Sequence, residues 1–340
     1  MNILIDLNHP ADVHFFRFAI QKLEQQGHKV IITSRDKDVT VSLLDRFQIK
    51  HQCLSTASSG LWNMAIELMI REFKVLLICL KEKIQVCAAF TGACTAQIGT
   101  LLRIPRLVFY DTEGATLQNK ISYPFASKIL TPESYKGDLG KKHVRFAGVK
   151  ELAYLHPNYF KPNPAILEDL AVTAEQKFVL VRTVAWKAAH DKSEKGIDIQ
   201  TRREIIEKLS PHAKVFFIAE DQLGDEFRSY RLPTSPDKIH HVLHYASLYI
   251  GEGATMASEA ACLGTPSIYV NSQKPGYIAY EEQAGLIFHL DDREQIIAKA
   301  LDILNTTDKA YWHQKQESFL KNTIDVSQWI ADQITGAVAQ

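Results

Sequence analysis

Tyr249-Ile-Gly-Glu-Gly-Ala-Thr-Met-Ala-Ser-Glu-Ala-Ala-Cys-Leu-Gly-Thr-Pro-Ser-Ile-Tyr-Val270 reads as a strand, a turn, a helix, a second turn and a second strand. The first apolar run ends at Gly251, the small residues Gly253 and Ala254 allow close backbone approach, and a helix opens near Thr255. Free amides and the positive end of a helix dipole then converge on one point, an arrangement that suits a diphosphate. Thr255 is placed to cap this helix and to touch phosphate. Glu259, four residues on, shares its face and can accept hydrogen bonds from ribose hydroxyls. A carboxylate among Ala257, Ala260, Ala261 and Leu263 has no evident packing role, so a binding site is preferred to a plain strand-loop-helix.

Working outward, short β-branched runs alternate with longer helical patterns along the chain, the layout of parallel sheets covered by helices. Strands are predicted near residues 2–7, 29–33, 85–90, 106–110, 128–131 and 144–147, then near 178–182, 214–219, 248–251, 267–270 and 286–290. Between the first two, Val13, Phe16, Ile20 and Leu23 recur at helical spacing, with Asp12 placed to cap the start and Gly27 to end it. The turn-rich Asn158-Tyr-Phe-Lys-Pro-Asn-Pro164 marks a linker. The expectation is an α/β chain of two doubly wound Rossmann-like domains, 1–160 and 165–325, facing across a cleft. Residues 326–340 are read as a helix returning to the N-terminal domain. Ligands in such folds bind beyond the carboxyl ends of strands.

The chain has 340 residues, with 39 basic and 39 acidic side chains, so no net field attracts a nucleic acid backbone and that partner is excluded. Cys53, Cys79, Cys87, Cys94 and Cys262 lack metal-ligand or paired spacing and read as buried thiols of a reducing compartment. The N-terminus runs directly into an apolar strand, not a leader, and no apolar run is long enough to span a bilayer. A cytoplasmic location is expected. Residues 61–83 form a strongly helical stretch in which Trp62, Met64, Ile66, Met69 and Phe73 accompany Arg71, Lys74, Lys81 and Lys83. It suits peripheral contact with the inner face of a membrane. The reading preferred here is a core-facing helix with solvated lysines.

Other candidate residues follow predicted strands. Arg182 ends the first strand of the second half, with Lys187 and His190 in the loop beyond, where a cation could neutralise a leaving diphosphate. His240, His241 and His244 precede the strand at Leu248, and His241 is taken as the contact near a nucleobase. In the first half, Asn8-His-Pro-Ala-Asp-Val-His14 fills the turn after the first strand. His14, placed in the first helical turn, would have its imidazole pKa depressed by the helix dipole and could act as a neutral base; Asp12 is the alternative. Tyr110-Asp-Thr-Glu-Gly-Ala-Thr116 places Asp111 and Glu113 after another strand.

The 249–270 segment resembles the donor-binding motif of GT-B proteins, including the peptidoglycan N-acetylglucosaminyltransferase and the UDP-N-acetylglucosamine 2-epimerases. Over nearly its whole length the chain is most similar to the predicted-glycosyltransferase family called domain of unknown function 354. Supporting stretches are Ile5-Asp-Leu-Asn-His-Pro-Ala-Asp-Val-His-Phe-Phe16, Gly27-His-Lys-Val30, Thr131-Pro-Glu133 and Gly148-Val-Lys-Glu151. The resemblance implies a GT-B fold and a nucleotide-sugar donor held by Gly253, Ala254, Thr255 and Glu259, with Gln273 and Tyr277 reading donor-sugar hydroxyls. It also places His14 where the peptidoglycan transferase has a histidine, and Glu113 where the epimerases have a catalytic glutamate. Two departures weigh against epimerisation. Thr91-Gly-Ala-Cys-Thr95 stands where those epimerases carry an acidic Gly-Asp-Thr loop, and Thr183-Val-Ala-Trp-Lys187 replaces their His-Arg-Arg-Glu loop. The expected activity is therefore transfer from a UDP-sugar to a lipid-linked or glycan acceptor in cell-surface polysaccharide assembly. No cofactor is expected, and no metal, because no Asp-x-Asp pair stands where a diphosphate would lie. The alternatives are a UDP-sugar 2-epimerase and a non-catalytic nucleotide-sugar binding protein.

Overall fold

A strand whose two faces are both covered is largely apolar, and β1 (Asn2–Leu7) is buried at every position after the first, Asp6 included. The computed structural model describes residues 1–114, 116–183, 197–219 and 224–338. In chain order β1 is followed by α1 (Pro10–Gln25), β2 (Lys29–Asp36), α2 (Thr40–Arg46), β3 (Gln52–Thr56), α3 (Leu61–Glu82), β4 (Val86–Phe90) and α4 (Ala93–Leu101). Then come β5 (Arg106–Phe109), α5 (Thr116–Ser122), β6 (Lys128–Pro132), β7 (His143–Phe146), α6 (Leu152–Leu155) and α7 (Ile166–Asp169). The rest comprises β8 (Phe178–Thr183), α8 (Ile199–Leu209), β9 (Lys214–Ala219), α9 (Ile239–Tyr245), β10 (Leu248–Gly251), α10 (Ala254–Cys262) and β11 (Ser267–Tyr269). It ends with α11 (Gly276–Gln283), β12 (Ile287–His289), α12 (Arg293–Thr306), α13 (Lys309–Leu320) and α14 (Val326–Gly336).

Two units emerge, Met1–Tyr154 with Ile324–Gln340, and Leu155–Thr323. The first holds a seven-stranded parallel sheet in the order β3-β2-β1-β4-β5-β6-β7. The second holds a five-stranded parallel sheet, β12-β11-β10-β8-β9. In each, strand order reverses direction once, between β1 and β4 and between β8 and β10. Right-handed crossovers then put helices on both faces, which makes each unit doubly wound. In the first unit α1, α2 and α14 pack together, while α3 packs with α4 and α4 with α5.

Strand β3 has no counterpart among the predicted strands. Only Leu54 of its five residues is buried, so this edge strand lacks the apolar run that marks the others. Its Cys53 is exposed, unlike the four other cysteines, correcting the expectation of buried thiols throughout. Helix α3 faces the core through Leu68, Val75, Leu76, Ile78 and Cys79 with Lys74, Lys81 and Lys83 exposed, but the apolar residues named for that face are not the ones turned inward. Glu67, Arg71, Val75 and Cys79 are buried, whereas Trp62, Met64, Ile66, Met69 and Phe73 are exposed. The cause is ionic. Arg71 Nη2 donates to both carboxylate oxygens of Asp6 at 2.8 Å, and Glu67 accepts a two-point fork from Arg35 at 2.6 and 2.7 Å. Burial alone would raise the Glu67 pKa, but Arg35 with Ser55 and Ser58 holds it well below the usual carboxylate range.

Candidate functional site

In the second unit, β8 and β10 lie side by side at the switch point, with Arg182 paired in register with Gly251. Their ends hold Arg182 and the turn singled out in the sequence. Gly251 has no room for a side chain, because an added Cβ would lie 2.2 Å from the Tyr249 hydroxyl oxygen. Gly253 is equally constrained by Arg182, whose Nη1 would lie 2.9 Å from a Cβ there, so the guanidinium sits directly against the turn. Between them Glu252 is buried and accepts the Ile197 amide at 2.6 Å, while its carbonyl accepts Asn271 Nδ2 at 3.1 Å. These two bonds fix the turn from which α10 starts.

Helix α10 begins at Ala254, one residue earlier than expected, and its N-cap is Gly253, which has no side chain to cap with. Thr255 is therefore the second helical residue and does not cap the helix. The amides of Ala254, Thr255 and Met256 precede the first intrahelical bond, from Ala257 to the Gly253 carbonyl at 3.1 Å. Residues Gly253 to Met256 are half-buried, so this turn is reachable. Glu259 lies further along the helix, 7% exposed, with His240 Nε2 3.0 Å from its Oε1. The neighbouring His241 is turned elsewhere. Its ring stacks on Phe160 at 5.0 Å, and its Nδ1 accepts the Asn163 amide at 3.1 Å. Burial and the adjacent His240 lower its pKa. His240, not His241, is thus the histidine associated with the Glu259 carboxylate.

The segment after β11 is a shorter loop than expected, because α11 begins at Gly276. Tyr277 is helical, not a loop residue, and only 4% exposed. Gln273 is exposed in that loop, its amide bonded to Asn271 Oδ1 at 2.9 Å. Lys187 and His190 lie outside the described residues.

In the first unit, the loop after β1 is a capping box. His9 is the N-cap of α1, its Nδ1 accepting the Ala11 amide at 3.2 Å, and Asp12 reaches back to accept the amides of Asn8 and His9 at 2.8 and 3.1 Å. Asp12 therefore caps from the third helical position. Its carboxyl pKa is raised to about 7, first by burial and further by the Asp6 carboxylate nearby. His14 is the fifth helical residue, beyond the first turn where the dipole acts most strongly, and its ring lies 5.6 Å from Phe47 and 5.1 Å from Tyr154. After β5, Asp111 is buried against Lys150, and Thr112 Oγ1 donates to its other oxygen at 2.9 Å. Glu113 accepts the Lys136 amide at 2.8 Å. Lys150 also acts electrostatically on Asp12 and His9, so the loops after β1, β5 and β7 share one charged neighbourhood. Sequence reasoning missed Asp6, Arg71 and Lys150. The signals were a lone carboxylate within an apolar strand and an arginine four residues from both Glu67 and Val75.

The chain belongs to the family described as protein of unknown function DUF354, whose model matches residues 1–335. An uncharacterized protein from Methanocaldococcus jannaschii is 24% identical over 311 residues, which cover 87% of this chain and 90% of that relative. Among solved structures, the UDP-GlcNAc 2-epimerase of Neisseria meningitidis bound to UDP-GlcNAc matches with a TM-score of 0.69 at 11% identity, covering 100% of this chain and 99% of that one. The UDP-N-acetylglucosamine 2-epimerase from Rickettsia bellii gives 0.70 at 14% identity, covering 100% and 97%. The glycotransferase of kitacinnamycin gives 0.64 at 11%, covering 99% of both. The fold is accordingly of the GT-B type, two Rossmann-like α/β units in one chain.

Proposed function

We propose that the protein is a glycosyltransferase that takes its sugar from a nucleotide donor, a UDP-sugar. One observation carries this reading, and it lies within the second unit. The α10 amides, the Arg182 guanidinium against Gly253 and the Glu259 carboxylate further along the same helix offer a diphosphate and the adjoining ribose what each needs. The UDP-GlcNAc held by the Neisseria meningitidis protein of the same fold supports the donor class.

In the transfer, the acceptor oxygen bonds to the anomeric carbon as the bond from that carbon to the diphosphate breaks. The electron pair leaves with UDP, and the acceptor proton passes to a base. Arg182 and the helix dipole meet the developing charge, which leaves no step that requires a metal ion. For the base we favour Asp12, since a carboxyl with a pKa of about 7 is divided between acid and base near neutrality. His14 and Glu113 keep acid–base roles in this proposal. The acceptor is a lipid-linked or glycan hydroxyl of cell-surface polysaccharide assembly, used in the cytoplasm.

A second reading, a UDP-sugar 2-epimerase using Glu113, is supported by the 2-epimerases of Neisseria meningitidis and Rickettsia bellii, which share the fold. Incubation with UDP-, GDP- and CMP-sugars, with and without acceptor lipid, separates the possibilities by mass spectrometry and NMR. UDP released only with acceptor is the expected result. Free UDP with an epimerised sugar and no acceptor would establish the epimerase, and binding without turnover would leave a binding protein.

A further inference from the structure

The outward face of α3 is apolar over its whole length. Trp62, Ile66, Met69, Phe73, Leu77 and Leu80 are 49% to 85% exposed, and with Met64 and Ile70 they make up eight of the fourteen exposed large apolar side chains among the described residues. The helix cannot turn this face inward, because doing so would break the buried Arg71–Asp6 and Glu67–Arg35 pairs. The exposed area of the stripe is on the order of 800 Å², above what a monomer's surface usually carries and equal to one partner's share of a standard interface.

We propose that this face is the contact surface of a homodimer with twofold symmetry. Charge argues for a second copy over a lipid surface. With Arg71 and Glu67 buried, Lys74 and Lys81 at the surface of α3 are matched by Glu72 and Glu82, whereas a helix lying on anionic lipid carries an excess of lysine and arginine. Spacing argues for self-association. Trp62 and Leu80, Ile66 and Leu77, Met69 and Phe73 stand at equal distances, within one residue, on either side of Arg71. A dyad at the helix midpoint therefore lays the stripe antiparallel on its own copy, with the Trp62 end against the Leu80 end and the helix dipoles opposed. Leu101 on α4 and Leu117 on α5, helices packed in sequence beside α3, are exposed as well.

Sedimentation velocity of the full chain over about 1 to 50 μM, a range in which an obligate interface stays formed, should give twice the 38.4 kDa chain mass. Met69→Glu and Phe73→Glu should each yield monomers with unchanged far-UV circular dichroism. In a Cys53→Ser background, Phe73→Cys should form an oxidised cross-linked dimer, while Trp62→Cys should not, since the helix ends would lie about 27 Å from their own copies at 1.5 Å per residue. This cross-linking pattern also decides the matter if the glutamate variants do not fold. A monomeric wild type at all concentrations, a dimer that survives both glutamate substitutions, or a monomer that binds phosphatidylglycerol vesicles through α3 would overturn the proposal.

Discussion

At the scale of single residues the proposal names two carboxylates, one in each unit, whose surroundings differ. Glu259 has His240 Nε2 3.0 Å from its Oε1. If it receives ribose hydroxyls, Glu259→Ala should weaken UDP binding by about 1 to 3 kcal/mol, the range for losing charge-assisted hydrogen bonds. Isothermal titration against UDP measures this, and unchanged affinity removes Glu259 from the site. Asp12 is held toward its neutral form, with its pKa raised from 3.8 to about 7 by burial. A raised carboxyl favours the folded state fully below pH 3.8 and loses that contribution as pH climbs through 7. The wild type should therefore lose stability relative to Asp12→Asn between about pH 4 and 7, by at most about 1.4 kcal/mol per pH unit. Parallel urea unfolding across that window tests it, and two superimposable profiles would show that Asp12 titrates normally. If Asp12 also takes the acceptor proton, the acid limb of kcat in the wild type should disappear with the activity of Asp12→Asn.

At the scale of elements, the start of α10 is a backbone device that a single methyl can disturb. Gly253→Ala would set its Cβ 2.9 Å from Arg182 Nη1 in a backbone conformation, φ −89°, that alanine adopts without strain. The guanidinium must shift while the helix remains. UDP affinity should fall several-fold and the melting temperature should stay within about 2 °C, since surface changes away from strain alter stability by roughly 0.5 kcal/mol or less. An unaltered Kd would mean that Arg182 does not face the ligand. The same element shows how far sequence can be read. The strand ending at Gly251, the small-residue turn and the following helix were legible because glycine and alanine spacing reports backbone approach directly. The cap at Gly253 in place of Thr255 was not, because a helix boundary depends on which amides find partners. Pattern also failed at α3, where its apolar periodicity is genuine but the buried pairs of Arg71 with Asp6 and Glu67 with Arg35 decide which side turns inward. Long-range ion pairs leave no local period. For the same reason His240 and His241, adjacent in sequence, could not be told apart until α9 fixed which ring points toward α10.

At the scale of the whole molecule, the first unit is discontinuous in sequence, because the last helix belongs to it. Val326, Ser327, Ile330, Ala331 and Ile334 of α14 are buried. Ser327 Oγ donates to the Ala153 carbonyl at 2.7 Å, Gln328 accepts from Lys22 at 3.0 Å, and the Trp329 ring lies 4.9 Å from that of Phe146. The first unit is thus completed by residues that follow the whole second unit in sequence, and they pack on α1 and β4. Removing core methylenes from α14 should weaken the first unit selectively. Ile330→Ala, at a position with no exposed surface, should cost about 2 to 5 kcal/mol of the stability of that unit. Native-state hydrogen exchange read by mass spectrometry should show faster exchange in α1 and β4, which contact α14, with α10 and β10 unchanged. UDP affinity, carried by residues of the second unit, should persist. Equal acceleration in both units would mean that they unfold together and that α14 is a strut of the entire chain, not of the first sheet alone.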